Sequence, residues 1–270
     1  MDAAKPWQLG MFNKALKKQQ KLAALKQHVP DLQGASCLLI TCGDNNGAMN
    51  YRIREWGGKW VWAELEEGGI HEIEDLLREP VARIDKSTCR LPFPDNTFDY
   101  VMTIDCHEHL TDVQPLNNEL WRITKPEGKV IVTVPNGNSH KLAVRIKHLV
   151  GMTNAEYGHH VLGYEIAELQ SMLQKVGFTP HAHSSYAKFF TEMIELCINF
   201  AYVKILKKSH VSGEEQTIAP VTKDQLQSVA KTYKLYSKIY PLLWAVSQLD
   251  ALLFFATGHA VVVEARKEER

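Results

Sequence analysis

An α/β fold, a mostly parallel sheet doubly wound by helices, is what this sequence predicts, and three observations lead to it. Short apolar runs recur from Ala35 onward (SCLLIT, KWVWAE, VARID, FDYVMTID and KVIVTVPN), each about the length of a strand. Several are apolar on both faces, as strands sandwiched between two helical layers must be. Polar stretches of helical character lie between them, which makes each strand, helix and next strand a crossover unit.

The first element is a basic amphipathic helix over residues 8–27, with Leu9, Phe12, Leu16 and Ala23 near one face and Lys14, Lys17, Lys18 and Lys21 mostly elsewhere. Residues 1–30 carry six lysines against Asp2, so contact with an anionic membrane surface is conceivable; a leading helix packed on the domain is the expected arrangement. SCLLIT then runs into a tight turn, TCGDNNG, that opens a helix, and KWVWAE ends on Glu64. VARI is followed by Asp85 and FDYVMTI by Asp105. Residues 165–176 place Ile166, Leu169, Met172, Leu173 and Val176 on one helical face; Gly177 stops that helix, and a strand begins near Phe178.

Residues 189–206 and 235–256 are strongly apolar with helical period, separated by a polar stretch around Ser209–Pro220. They form a helical insertion before HAVVVEARK, a closing strand with a charged tail. Ser247, Gln248 and Asp250 interrupt the second segment, which favours a buried or interfacial helix over a membrane span. The expected division is an N-terminal helix (1–34), a core (35–188), a helical cap (189–256) and a closing strand with tail (257–270).

Composition narrows the function. With 45% hydrophobic and 23% charged residues over 270 positions, the chain buries a sizeable core and is not a disordered protein. Thirty-one Lys plus Arg balance 31 Asp plus Glu, so no net field draws it to nucleic acid, and no nucleic-acid partner is expected. Five cysteines without a C-x-x-C pair indicate neither a disulfide framework nor a zinc ribbon; a reducing, cytoplasmic location fits.

Chemistry concentrates where strands end. In an open α/β sheet the ligand crevice lies beyond the carboxyl ends of the strands, so the turn with Gly43 and Gly47 is a candidate cradle for a nucleotide-like ligand. Glu64, about twenty residues further on, is placed to accept hydrogen bonds from both hydroxyls of a ribose, with Glu66 and Glu67 as close competitors.

The segments LPFPDNTFD and ELWRITKPEGKVIVTVPN resemble the L-P-F-x-D-x-x-F-D segment and the helix, Lys-Pro-Gly-Gly turn and fifth strand of class I S-adenosylmethionine-dependent methyltransferases, over about Ala35 to Phe178. The resemblance implies a seven-stranded Rossmann-like methyltransferase fold with S-adenosylmethionine as cofactor. It carries Thr41, Cys42, Gly43 and Asp44 onto the cofactor loop and Glu64 onto the ribose acid. Asp85 falls on the acid beside the adenine, with Ser87 as its rival, and Asp105 faces the methionine portion. Leu39, Thr41, the Asn45–Asn46 pair and Glu127 depart from the family pattern, so a noncatalytic binding or scaffold protein on the same fold is the alternative. An NAD-dependent oxidoreductase is a weaker rival, because the turn lacks G-x-G-x-x-G.

Asp105, Glu108 and His109 stand at i, i+3 and i+4 and resemble the acidic-acidic-His metal segment of quinone-pathway O-methyltransferases; the expectation is nonetheless a metal-independent site. His109 and His160 are the candidate catalytic residues, with His159 beside the latter, since a neutral imidazole can take a hydroxyl proton. The expected reaction is transfer of a methyl group to an oxygen of a small-molecule acceptor, with an apolar acceptor among the expectations. A homodimer and peripheral membrane contact are left open.

Overall fold

A computed structural model describes residues 6–43, 45–151, 160–201, 227 and 230–269. One sheet of seven strands organises them, in the order β3-β2-β1-β4-β5-β7-β6. In chain order these are β1 (Ser36–Thr41), β2 (Lys59–Glu64), β3 (Val81–Arg83), β4 (Phe98–Ile104), β5 (Thr124–Pro135), β6 (Phe178–Tyr186) and β7 (Ala260–Lys267). The first five run parallel, and β7 lies antiparallel between β5 and β6. The sheet is thus α/β and mostly parallel, as the apolar runs predict.

Alternation along the central strands feeds two apolar layers. Leu38, Ile40, Val101, Val130 and Val132 pack against α5 (Gln114–Ile123) and α7 (Ile166–Val176) through Leu116, Leu120, Leu169 and Leu173. Leu39, Met102 and Ile131 face the other layer, α2 (Leu16–Lys26), α3 (Ala48–Arg54) and α4 (Ile70–Leu77), through Leu25, Ile53 and Ile73. Leu39, which departs from the family pattern, is therefore a core residue. Helix α7 starts at a reciprocal cap between Glu165 and Glu168 and stops at Gly177, as the sequence predicts.

Three expectations need correction. Residues 8–27 form two helices, α1 (Trp7–Phe12) and α2, because the Gln19 amide donates to the carbonyls of Phe12 and Asn13 at 3.3 and 2.6 Å and holds a break between them. The break shifts the helical phase, so Ala23 is exposed and Lys21 is buried. The second apolar segment is helical from α9 (Ala230–Ser247), earlier than residue 235, and tightens into a 3-10 turn over Gln248–Leu253. Asp250 explains that change: it turns inward and accepts the backbone N–H groups of Lys188, Phe190 and Thr191 at the start of α8 (Phe189–Ala201). The polar stretch around Ser209–Pro220 lies outside the described residues.

β6 ends at Tyr186 and β7 begins at its partner Ala260, level with Pro135 of β5, so residues 189–256 leave and re-enter the sheet at its carboxyl edge. Helix α8 is pinned there by Glu192, which is buried and paired with Lys17 of α2 at 3.1 Å and with Lys147 of α6 (Leu142–Leu149). Burial pushes the Glu192 pKa up, but the two lysines outweigh it and hold the group down at about 2. Removing one member of such a cluster leaves the others uncompensated. Glu192→Gln should cost about 2–3 kcal/mol in urea unfolding at pH 7. Because the folded pKa is depressed, that difference should be present above about pH 4.5 and fade as pH falls toward 2.

Candidate functional site

The carboxyl ends of β1 and β2 are tied together by one carboxylate. Thr41 and Glu64 are register partners in parallel strands. The Thr41 hydroxyl donates to Glu64 Oε2 at 2.6 Å, and the backbone N–H groups of Gly43 and Glu66 donate to Oε1 at 2.9 and 3.0 Å. Glu64 is fully buried, and burial pushes its pKa up against the pull of these three bonds. The residue expected to hold a ribose is thus also the anchor of the turn.

Glu66 occupies the open side of the same turn. A Cβ on Gly43, whose φ is +73°, would stand 3.0 Å from Glu66 Oε2, so the glycine leaves a cradle that any side chain would fill. Glu66 pairs with Lys86. A second glycine, Gly69, closes the loop from below: a Cβ there would lie 2.6 Å from the Asn45 carbonyl oxygen. Nothing in the sequence singled out Gly69, since it belongs to the opposite strand's exit.

Asn45 and Asn46, one of which the resemblance puts at a family glycine position, serve the loop through their side chains. Asn45 Nδ2 donates to Thr41 Oγ1 at 3.0 Å and to Asn50 Oδ1 at 2.8 Å, while its Oδ1 accepts from Gly47 N at 3.0 Å. Asn46 Oδ1 accepts from Ala48 N at 3.3 Å. These are local side-chain turns that fix the entry to α3. Asp44 lies outside the described residues.

Asp85 and Ser87, rivals for one role in the sequence, belong to one exposed turn after β3. Asp85 Oδ1 accepts the Ser87 N–H at 2.7 Å and its hydroxyl at 2.6 Å, and those bonds hold the Asp85 pKa below its usual value. LPFPDNTFD is anchored from α5. Arg122 donates to the carbonyls of Phe93 and Leu91 at 2.7 and 3.1 Å and to Asp95 at 2.8 Å, while Glu119 accepts the Leu91 N–H at 2.9 Å. At the next turn Glu127, with φ +63°, takes the left-handed place of the family glycine and pairs with Arg266.

At the exit of β4, Asp105 has φ +51° and pairs with the buried Lys21 of α2. The next residues make a single 3-10 turn, His107–His109, so the helical spacing that would align Asp105, Glu108 and His109 is not formed. His109 instead gathers with Cys42 and Glu66, one donor atom of each lying within 4.8 Å of the others. Burial pushes the Cys42 thiol well up, which disfavours the thiolate a metal needs.

Glu108 is fully buried and neither carboxyl oxygen has a hydrogen-bond partner among the described residues; burial drives its pKa well up. His160 is exposed, and its N–H donates to the Glu108 carbonyl at 2.9 Å. His160 thus joins the β4 exit at the residue preceding His109, whose ring gathers with Cys42 and Glu66. His159 lies outside the described residues.

A methyltransferase domain family matches residues 38–132. Demethylmenaquinone methyltransferase of Bacillus cereus is 33% identical over 110 residues, 38% of this chain and 46% of that protein. The chain spans less than half the length of the curated relatives it matches. Phosphoethanolamine N-methyltransferase 2 of Haemonchus contortus, solved in complex with S-adenosyl-L-methionine, superposes with a TM-score of 0.55 at 18% identity, covering 93% of this chain and 53% of that one. The [4+2]-cyclase SpnF superposes equally well, with a TM-score of 0.55 at 14% identity over 94% of this chain and 82% of its own. The family match is confined to residues 38–132, and the likeness to these solved structures is one of fold.

Loss of the Glu64 carboxylate would strand three donors in a buried site. Glu64→Ala should therefore lower stability by about 2–4 kcal/mol, whereas Glu66→Ala, at a partly open position, should change it by about 0.5 kcal/mol or less. Chemical denaturation of both variants without ligand checks this contrast.

Proposed function

We propose that this domain transfers a methyl group from S-adenosylmethionine to an oxygen of a small-molecule acceptor. The observation that carries the reading is the Gly43 cradle, walled by Glu66 and anchored by Glu64, at the carboxyl end of β1. Such a cradle fits a ligand that needs close backbone approach and a carboxylate for vicinal hydroxyls. When bound, S-adenosylmethionine supplies a methyl group on a sulfonium already activated to leave as a thioether.

The chain's own residues then divide the work. Thr41, Cys42, Gly43 and Asp44 form the loop, and Glu64 with Glu66 offers acceptors for ribose hydroxyls. The Asp85–Ser87 turn borders the adenine. Asp105 provides a carboxylate for an ammonium group, a place that Lys21 now holds. On the acceptor side, His160 and His109 are the groups proposed to take a hydroxyl proton, while the buried Glu108, held toward its protonated form, can only donate a hydrogen bond. Lys21, Asp105, Glu108 and the buried Tyr186 make the neighbourhood of the β4 exit polar, which favours an acceptor with a polar head over a wholly apolar one. Helices α8 and α9, rooted at the same edge, serve as the cap that keeps water from this site.

A second reading keeps the fold without methyl transfer. It is favoured by the internal hydrogen bonding of Glu64 and by the cyclase that shares the architecture. Calorimetric titration with S-adenosylhomocysteine separates the two. Binding with a dissociation constant in the range of about 1 μM to 1 mM is expected. A folded protein that takes up no ligand at millimolar concentration would leave the scaffold reading standing.

Methyl transfer should also survive chelation, because Asp105 is engaged by Lys21 and the Cys42 thiol resists ionisation. Activity lost with chelator and restored by Mg²⁺ would reverse that assignment.

A further inference from the structure

Helix α9 is folded inside out relative to an ordinary surface helix. Its inward edge is polar: the Tyr233 and Tyr236 hydroxyls donate to the carbonyls of Gly10 and Lys14, and the Tyr240 hydroxyl accepts from Gln19 at 2.9 Å. Its outward edge mixes apolar side chains with Lys231 and Lys238, which stand on the same stripe. Leu235, Ile239 and Leu242 follow one another at four- and three-residue steps, which puts them on one helical face, and all three are exposed, Leu242 by 66%. The stripe continues past the helix into Leu249, Leu252 and the pair Phe254 and Phe255, which are 84% and 76% exposed. Aromatic and aliphatic side chains at that density on one side are far from the scattered exposure that a solvent-facing surface shows.

The charge on this side has one sign. Lys231, Lys234 and Lys238 are exposed on α9, whereas the one acid between residues 230 and 257, Asp250, is turned inward to cap α8. Apolar side chains interleaved with lysines, with no outward acid among the described residues 230–257, complement an anionic lipid surface. No helix among the described residues is long and apolar enough to cross a membrane.

We infer that the face formed by α9 and residues 248–255 lies on an anionic membrane, with Leu242, Trp244 and Phe254 in the headgroup boundary and Lys231, Lys234 and Lys238 against the lipid phosphates. This goes beyond methyl transfer and does not rest on it, since the binding is read without cofactor or turnover. It places the basic contact on the C-terminal helix rather than on the N-terminal one. Lys14 and Gln19, on the N-terminal helices, are engaged with α9 itself.

Flotation of the full chain with vesicles tests it. Vesicles of phosphatidylcholine containing about a third phosphatidylglycerol should bind at least about tenfold more tightly than pure phosphatidylcholine, and salt should weaken the binding. Leu242→Glu with Phe254→Glu, both at exposed positions, should reduce it at least about tenfold while the circular dichroism spectrum stays unchanged. A measurement on the unaltered face guards against misfolding of that variant: brominated lipid should quench Trp244 fluorescence, seen as the part of the quenching lost in Trp244→Phe. Equal or absent binding to both vesicle types, or no Trp244 quenching, overturns the proposal. So does shielding of Trp244 from aqueous iodide in vesicle-free protein, which would mean that a second copy or the chain itself covers the face.

Discussion

The site depends on a carboxylate in a place where water cannot reach it. Glu64 at the end of β2 gathers the Thr41 hydroxyl, the Gly43 amide and the Glu66 amide, so two strand ends and the loop between β1 and α3 become one unit. The strands alone could not do this, because parallel pairing stops at Thr41 and Glu64. Burial raises the cost of the charge and three donors offset part of it, which leaves the Glu64 pKa above its usual value. Asn45 and Asn46 add to the same unit, their side-chain oxygens accepting the Gly47 and Ala48 N–H groups at the entry to α3.

Much of the fold was legible because periodicity and burial coincide in a central parallel sheet. Every apolar run quoted from the sequence became or contained a strand, and each acid proposed for the site stands at or just after a strand's carboxyl end. What could not be read is where tertiary partners override local pattern. The break between α1 and α2 is made by a side chain six and seven positions downstream, and the inward turn of Asp250 is set by the start of α8, about sixty residues earlier. The family-like LPFPDNTFD segment was legible as a signature but not as a device. Its role depends on Arg122 and Glu119, whose spacing from it gives no local cue.

At the site, types were legible and partnerships were not. Asp85 and Ser87 compete in the sequence and cooperate in space. Asp105, Glu108 and His109 look like a helical metal triad, yet with a left-handed Asp105 and a 3-10 turn Asp105 pairs with Lys21, His109 gathers with Cys42 and Glu66, and the Glu108 carboxyl finds no hydrogen-bond partner among the described residues. Lys21 itself looked like an outward lysine. A one-turn interruption upstream was enough to reverse it.

The most direct measurement is an amide NMR titration of the whole chain with S-adenosylhomocysteine. Shifts concentrated at Gly43, Glu66, Gly69 and Asp105, and abolished together in Glu64→Ala under conditions where that variant remains folded, are the result expected if the Glu64-anchored turn is the cofactor cradle. Saturable shifts elsewhere in the sheet with those four amides unmoved, or an unchanged pattern in Glu64→Ala, would contradict it.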